Sequence, residues 1–325
     1  MSEAQQPARY PGLRVDWRNG VCAALLKFGC GLGGAASVAG LGGGLSWVLD
    51  LGSHFQAQYF GFQLLCVTGF LLLKQYRWAL LAVGFLAIPT FKLAPYYLAK
   101  PAPTGLTERL RVVSFNVLSS NLRHAETVAW VRQTDPDLAF FPEVTPVWAA
   151  DLESLKSTMP HCIEHPQRDN FGLALFSKYP ILEPELVDSR FLEVAMVRVV
   201  VEIAGRRVVF CGVHPLLPGS PAFAADRDAV LQQVAAMARR ESGPVIVAGD
   251  LNATPWSHAM QPLVAAGLRD TQLGRGFSAT WQRNIPIFAI PIDHLLLGGN
   301  IAASARWTGP DLGSDHHPVI ADLRL

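Results

Sequence analysis

Three apolar stretches, at about residues 28–49, 57–73 and 78–98, fill most of the first hundred positions and most narrow what this chain can fold into. A helix rises 1.5 Å per residue and needs about 20 apolar residues to cross the hydrocarbon of a bilayer, so the first and third are long enough and the second is marginal. Three such stretches in succession fit a cleaved signal peptide poorly. Composition agrees with lipid burial of part of the chain. Half of the 325 residues are hydrophobic and only 16% are charged, against about 25% in soluble globular proteins.

Basic residues orient these spans. Arg9, Arg14, Arg18 and Lys27 precede the first, Lys74 and Arg77 separate the second from the third, and the 50–56 connection has no Lys or Arg. The positive-inside rule then puts the N-terminus and the second loop in the cytoplasm, and three crossings leave everything after about residue 100 outside. The expected location is therefore the cell membrane, multi-pass, with an extracytoplasmic C-terminal domain. Gly29/Gly33 and Gly40/Gly44 have the small-xxx-small spacing of closely packed membrane helices; a phosphate-cradling glycine loop would need a preceding strand. Lys92, near the outer end of the third span, can snorkel. Pro101-Ala102-Pro103-Thr104-Gly105 reads as a linker. The resulting division is a cytoplasmic segment at 1–27, a membrane domain at 28–100, a linker at 101–107 and a soluble domain at 108–325.

Residues 1–103 hold 8 Lys/Arg and 3 Asp/Glu, and the remainder holds 19 and 23, so a net charge of +5 precedes one of −4. An acidic soluble portion lacks the basic surface on which sequence-independent nucleic-acid binding draws. Nucleic acid is accordingly not the obvious partner, although local basic patches could still serve one. Of the five cysteines, Cys162 and Cys211 are the pair that an oxidising compartment would join, but Cys211 lies in the apolar run 208–213 and reads as a core thiol.

From Leu106 the pattern changes to short β-branched runs alternating with polar helical stretches. Strands are predicted over 111–117, 138–141, 172–176, 194–203, 208–213, 245–248, 292–297 and 319–323, and helices over 124–133 and 221–240. Many strands and few helices in about 220 residues imply one α/β domain with two packed sheets.

Polar residues able to bind metal or move protons recur at the ends of these strands. They are Asn116, Glu143, His214, Asp250 with Asn252, Asp293-His294, and the run Ser314-Asp315-His316-His317. Each alone has an ordinary structural explanation; six such positions at strand ends in one domain do not. Carboxylate and amide oxygens suit a hard divalent cation such as Mg²⁺ or Mn²⁺, while no His/Cys cluster of zinc spacing occurs. With imidazoles to share proton movement, this is equipment for attack of water on phosphorus.

The ordered blocks Ser-Phe-Asn-Val (114–117), Pro-Glu (142–143), Asn-Phe-Gly-Leu-Ala-Leu-Phe-Ser-Lys (170–178), Gly-Val-His-Pro (212–215), Gly-Asp-Leu-Asn-Ala-Thr-Pro-Trp (249–256), Ile-Asp-His (292–294) and Ser-Asp-His-His-Pro (314–318) resemble the endonuclease/exonuclease/phosphatase superfamily. That superfamily includes deoxyribonuclease I, inositol polyphosphate 5-phosphatases and neutral sphingomyelinases. The resemblance covers residues 108–325 and none of the apolar third. It implies a four-layer α/β/β/α sandwich, here preceded by three transmembrane helices, and a Mg²⁺-dependent phosphoester hydrolase. By motif it implies metal-site roles for Asn116, Glu143 and Asp315, and catalytic roles for His214, Asp250, Asn252, Asp293 and His316, with Asp293 paired to His316. Asn170 would line the phosphate site, and Thr280-Trp281 a wall of the cleft.

The fold leaves the substrate open. An outward-facing domain on a short linker favours a phospholipid-like or other envelope phosphodiester. An extracytoplasmic nuclease would instead need a basic rim, for which Arg168, Arg275, Arg283 and Arg306 are available, and a non-catalytic receptor or scaffold would keep the fold alone. Residues 285–290 form either an apolar loop dipping toward lipid or a buried strand.

Overall fold

The computed structural model describes residues 17–98 and 106–325. The basic positions Arg9 and Arg14 and the linker's 101–105 lie outside the described residues. The N-terminal region contains α1 (Trp17–Ala39), α2 (Trp47–Leu51), α3 (Gln56–Leu72) and α4 (Tyr76–Tyr97). Among the described residues two segments, Gly20–Gly42 and Tyr76–Tyr97, are long and apolar enough to cross a membrane, whereas α3 has 17 residues. The first of them starts earlier than the sequence pattern suggested and stops at the glycine run 40–44. Glycine disfavours helix continuation, and Ser46, accepting from the Val48 amide, caps a separate short helix.

Cys30, Cys66, Phe70, Ala79 and Ala82 form the small core of this helical group. The Gly29/Gly33 pair works as its spacing implies, since a Cβ at either position would press on Phe62 of α3. Gly40 and Gly44 serve otherwise. Gly40 abuts the backbone at Gly52 and Ser53, and Gly44 abuts the ring of His258 in the C-terminal domain. On the outside of the group Phe28, Leu72, Leu80 and Phe91 are exposed.

The C-terminal domain opens with β1 (Arg109–Ser114), α5 (His124–Thr134), β2 (Leu138–Pro142) and α6 (Pro146–Leu152). The strands β3 (His161–His165), β4 (Leu173–Ser177), β5 (Ile181–Val187), β6 (Met196–Ile203) and β7 (Arg206–Val213) follow. Then come α7 (Pro221–Arg240), β8 (Val245–Asp250), α8 (Gln261–Ala265), β9 (Arg269–Asp270), β10 (Asp293–Gly298), β11 (Ala302–Thr308) and β12 (Val319–Arg324). One sheet has the order β11-β12-β1-β2-β4-β3 and the other β5-β6-β7-β8-β10-β9. Between them lies a core that includes Val112, Phe140, Leu175, Val199, Phe210, Ile246 and Leu295. The central strands β2, β8 and β10 are buried along their whole length, as strands covered on both faces must be.

Helices close both outer faces. Val128 and Val131 of α5 and Trp148 and Leu152 of α6 pack on the first sheet, and Val230, Leu231 and Val234 of α7 with Leu263 of α8 pack on the second. The domain is therefore a helix-sheet-sheet-helix sandwich. Edge strand β5 is exposed and carries Glu183, Pro184 and Glu185, which blunt strand addition. Cys162 belongs to the outer cluster of the first sheet and Cys211 to that of the second, and both are free thiols.

Candidate active site

Strand direction gathers the polar residues. β1 runs parallel to β2 and β7 parallel to β8, so Asn116, Glu143, His214 and Asp250 emerge at one end of the sandwich. β10 runs antiparallel to β8 with Asp293 opposite Asp250, and β12 antiparallel to β1 with Val319 opposite Ser114. The segment before β12, carrying Asp315 and His316, is thereby returned to the same end. Thr280 Oγ1 accepts the amides of Ile292 and Asp293, and Ser314 Oγ donates to the Asn116 carbonyl, tying the last two loops to the cluster.

Asn116 Nδ2 donates to Glu143 Oε1 at 2.9 Å and to Asp250 Oδ2 at 3.2 Å, so it braces both carboxylates. The Ser119 amide donates to Glu143 Oε2, and Ser119 Oγ donates to Asn170 Oδ1 at 2.6 Å. This serine links the exposed Asn170 at the rim to the buried acid, a connection with no signal in the sequence beyond its place in the turn after β1. His214 Nε2 and His316 Nε2 stand 3.8 and 3.6 Å from Asp250 Oδ2. His316 Nδ1 lies 2.9 Å from Asp293 Oδ2. Asp315 Oδ2 accepts from Trp281 Nε1 at 2.9 Å, which puts Trp281 on the wall of the site. His294, next to Asp293 but on the opposite face of β10, is held by Asp270 Oδ2 and the Ala253 carbonyl.

Two site residues have left-handed backbones, Glu143 at φ 66° and Asn252 at φ 47°. Such conformations cost about 1–3 kcal/mol and persist where the surroundings impose them. Asn252 is held by its amide to Asp250 Oδ1 at 2.9 Å and by its side chain to the Pro215 carbonyl at 2.9 Å.

Charge is poorly balanced among these residues. Burial pushes the Glu143 and Asp250 carboxyls above their usual range, and their hydrogen bonds and imidazole neighbours do not offset it. Burial also raises Asp293, but His316 outweighs it and holds that carboxyl low. Burial disfavours the His316 imidazolium, yet Asp293 and Asp250 lift it to about 10, whereas burial prevails at His214 and pushes it down.

A hard cation fits this arrangement. Glu143 and Asp250 are desolvated carboxylates with no Lys or Arg beside them among the described residues, and the buried Oδ1 atoms of Asp293 and Asp315 have no hydrogen-bond partner. Oxygen donors of this kind suit Mg²⁺ or Mn²⁺. Asp250, Asp293 and His316 also lie within metal-ligand reach of one another, their ligand atoms within 4.8 Å. His316 Nδ1 is already engaged by Asp293, however, so that trio reads as an imidazole between two acids and the Glu143 side as the ion's place.

Fold and site together define a metal-dependent phosphoester hydrolase. The sequence profile of the Endonuclease/Exonuclease/phosphatase family matches residues 113–316, and the chain belongs to that family. No curated protein matches the chain. Among solved structures, an endonuclease/exonuclease/phosphatase from Beutenbergia cavernae superposes with a TM-score of 0.58 at 20% identity, covering 67% of this chain and 72% of its own. The Danio rerio TDP2 complex with a single-strand DNA product gives 0.55 at 17% identity, over 67% of this chain and 99% of TDP2. The Staphylococcus aureus beta toxin gives 0.51 at 17% identity, over 65% and 99%. At these identities the likeness speaks for the fold.

Proposed function

We propose that the protein is a membrane-anchored, Mg²⁺-dependent phosphodiesterase that hydrolyses a phospholipid-like substrate in the outer leaflet, with its catalytic domain outside the cell membrane. One observation carries the substrate class. Trp281, on the wall of the site, begins a loop whose tip, Ile285, Ile287 and Phe288, is exposed, and whose far side is fixed to the start of α3 by Gln58 Nε2 donating to the Ala289 carbonyl at 2.8 Å. An apolar tip beside the site and beside the end of an apolar helix is suited to enter a lipid headgroup layer.

Further features support the reading. The exposed Phe28, Leu72, Leu80 and Phe91 would be a liability in water and are ordinary against lipid. Lys74 and Arg77 lie in and just after the α3–α4 turn, and Lys27 stacks over Trp78 at the start of α4, so basic residues collect at the end remote from the catalytic domain. A cavity of about 710 Å³ between α4 and the catalytic domain, lined by Phe91, Tyr96, Trp256, Met260 and Leu263 among others, offers apolar volume at the same junction. A nucleic-acid rim finds less support, because, of its four candidate arginines, only Arg168 is both exposed and unengaged among the described residues. Arg283 is given to Asp311 and the Ser314 carbonyl, and Arg275 to the carbonyls of Thr271, Leu273 and Ala303. The Arg306 guanidinium is buried.

In this reading Glu143 and Asp315, braced by Asn116 and Trp281, would hold the ion, which when bound would supply positive charge to the phosphoryl oxygens. Asp250 orients the attacking water and takes up its proton, and Asn252 positions the scissile phosphate. His214 and His316 face the developing negative charge, with Asp293 keeping the His316 ring aligned and protonated. Asn170 contacts the phosphate from the rim.

The test is hydrolysis by the purified full chain of sphingomyelin-like lipids, glycerophospholipids, inositol phosphates and nucleic acids side by side, together with a topology reporter fused after Leu325. Mg²⁺-dependent turnover of a lipid and an extracytoplasmic reporter are expected. Turnover of DNA or RNA alone would replace the reading with a nuclease, and a cytoplasmic reporter would remove its argument from location.

A further inference from the structure

Arg227 of α7 is 1% exposed, and Asp50, within the short helix α2 of the apolar N-terminal region, is 2% exposed. Arginine and aspartate are seldom buried so completely unless paired. Here they are paired with each other across the junction, Arg227 Nη2 lying 3.4 Å from Asp50 Oδ2. The other Asp50 contacts come mainly from the catalytic domain. Ser257 Oγ donates to Oδ2 at 2.6 Å and the His258 amide to Oδ1 at 2.7 Å, with Ser53 Oγ at 3.3 Å from Oδ1.

Arg227 turns this docking toward the chemistry. Its Nη1 donates to the carbonyl oxygen of Asn252 at 3.2 Å, the residue whose left-handed backbone follows Asp250 by two positions. A second grip falls on the same loop. His54 Nδ1 accepts the Thr254 amide at 3.3 Å and stands 3.0 Å from Thr254 Oγ1; burial pushes this imidazole down to about 4, which keeps it a neutral acceptor. The approach is close enough that a Cβ on Gly43 would meet Asp50 and His258.

We propose that Asp50 is a positioning residue of the catalytic centre, acting through Arg227 on the loop that carries Asp250 and Asn252. The apolar region is then a structural part of the site as well as its anchor. The inference rests on the placing of Asp250 and Asn252 in the centre, and not on which phosphoester is cleaved. A plain tether would not need a buried ion pair, whose desolvation is costly unless every contact is satisfied. Without Asp50, the acidic partner left to Arg227 is Asp228, whose Oδ1 its Nε and Nη2 reach at 2.9 and 2.8 Å and whose side chain is 38% exposed. The guanidinium would turn outward and release the Asn252 carbonyl. A loop displaced by about 1 Å at a reacting centre loses about 100-fold in rate.

The test uses the full chain in lipid nanodiscs, with Mg²⁺ and bis(p-nitrophenyl) phosphate, a soluble probe that needs no lipid recognition. Asp50→Asn and Arg227→Met should each lower kcat by about ten-fold or more with little change in KM. The double variant should be no slower than Arg227→Met, because both act through one contact. Arg227→Lys retains a cation beside Asp50 without the planar fork, and should lose kcat at an unchanged melting temperature. A readout independent of turnover is the chain cut at a protease site introduced within 101–105. The catalytic domain should remain bound to the helices, and Asp50→Asn should speed its release. Wild-type kcat in folded Asp50→Asn or Arg227→Lys, or fully additive single effects, would overturn the proposal. An inactive wild type would count against the hydrolase reading instead, and release of the cut domain would still report on Asp50.

Discussion

One ring, that of His316, spans two buried carboxylates, with Nδ1 2.9 Å from Asp293 Oδ2 and Nε2 3.6 Å from Asp250 Oδ2. Burial alone would discharge the imidazole, but the two acids raise it to about 10. An unfolded histidine titrates near about 6.5. The stabilisation from this proton is therefore complete below about pH 6.5 and is lost as pH rises toward about 10. Melting temperatures of the metal-free protein should fall across that window, and less so in His316→Asn. Nitrogen NMR of the labelled ring should find it doubly protonated at pH 8; a neutral ring there would contradict the geometry.

Glu143 is a buried acid whose carboxyl is raised by burial, with Asn116 and Ser119 as its donors. Glu143→Gln removes a buried charge but turns an amide NH2 toward one of these two donors, so its stability without metal should stay within about 1 kcal/mol of the wild type. The same variant should lose most Mg²⁺-dependent turnover and the stabilisation that Mg²⁺ gives the wild type. Thermal melts with and without the ion distinguish these effects.

Gly249 has φ 142° and lies against the Val213 backbone, so that a Cβ would collide with the Val213 carbonyl. Gly249→Ala should cost at least the roughly 1–3 kcal/mol of such backbone strain and displace Asp250. Denaturant unfolding and turnover of a soluble diester should both decline; wild-type values would show that β7 and β8 are not this closely apposed.

Ile287 and Phe288 are exposed at 70% and 54%. Replacing both with aspartate should leave stability within about 0.5 kcal/mol, as exposed substitutions do. Hydrolysis of vesicle lipid should drop several-fold while a soluble diester is cleaved as before. Equal losses on the two substrates would place the loop's role in the chemistry and not in lipid contact.

Much of the sandwich was legible because its strands are continuous apolar runs and its site residues sit where those runs end. The helix predicted over 221–240 coincides with α7, bounded by the Ser220 cap and by Arg239 and Arg240 in its last turn. Strand β11 leaves no strand signal in the sequence because Ala302, Ser304 and Arg306 give no alternation and a bulge interrupts it. The mixed polarity of β5 hid that edge strand in the same way. For residues 285–290, periodicity could not separate a buried strand from an exposed loop; a turn at Pro286–Phe288 decides it. The Asp50–Arg227 contact was illegible for another reason. It joins positions 177 residues apart across the junction of two regions, and neither residue belongs to a motif.

Hydrolysis requires seven separated blocks to form one ion-binding phosphoester site. The most direct measurement is phosphodiester hydrolysis by the purified full chain in nanodiscs, with Mg²⁺ and then with chelator, in wild type, Asp250→Ala and His316→Ala. Chelation should abolish turnover, and each substitution should lower it by about 10²–10⁴. Turnover indifferent to chelator, or unchanged in Asp250→Ala, would contradict that site.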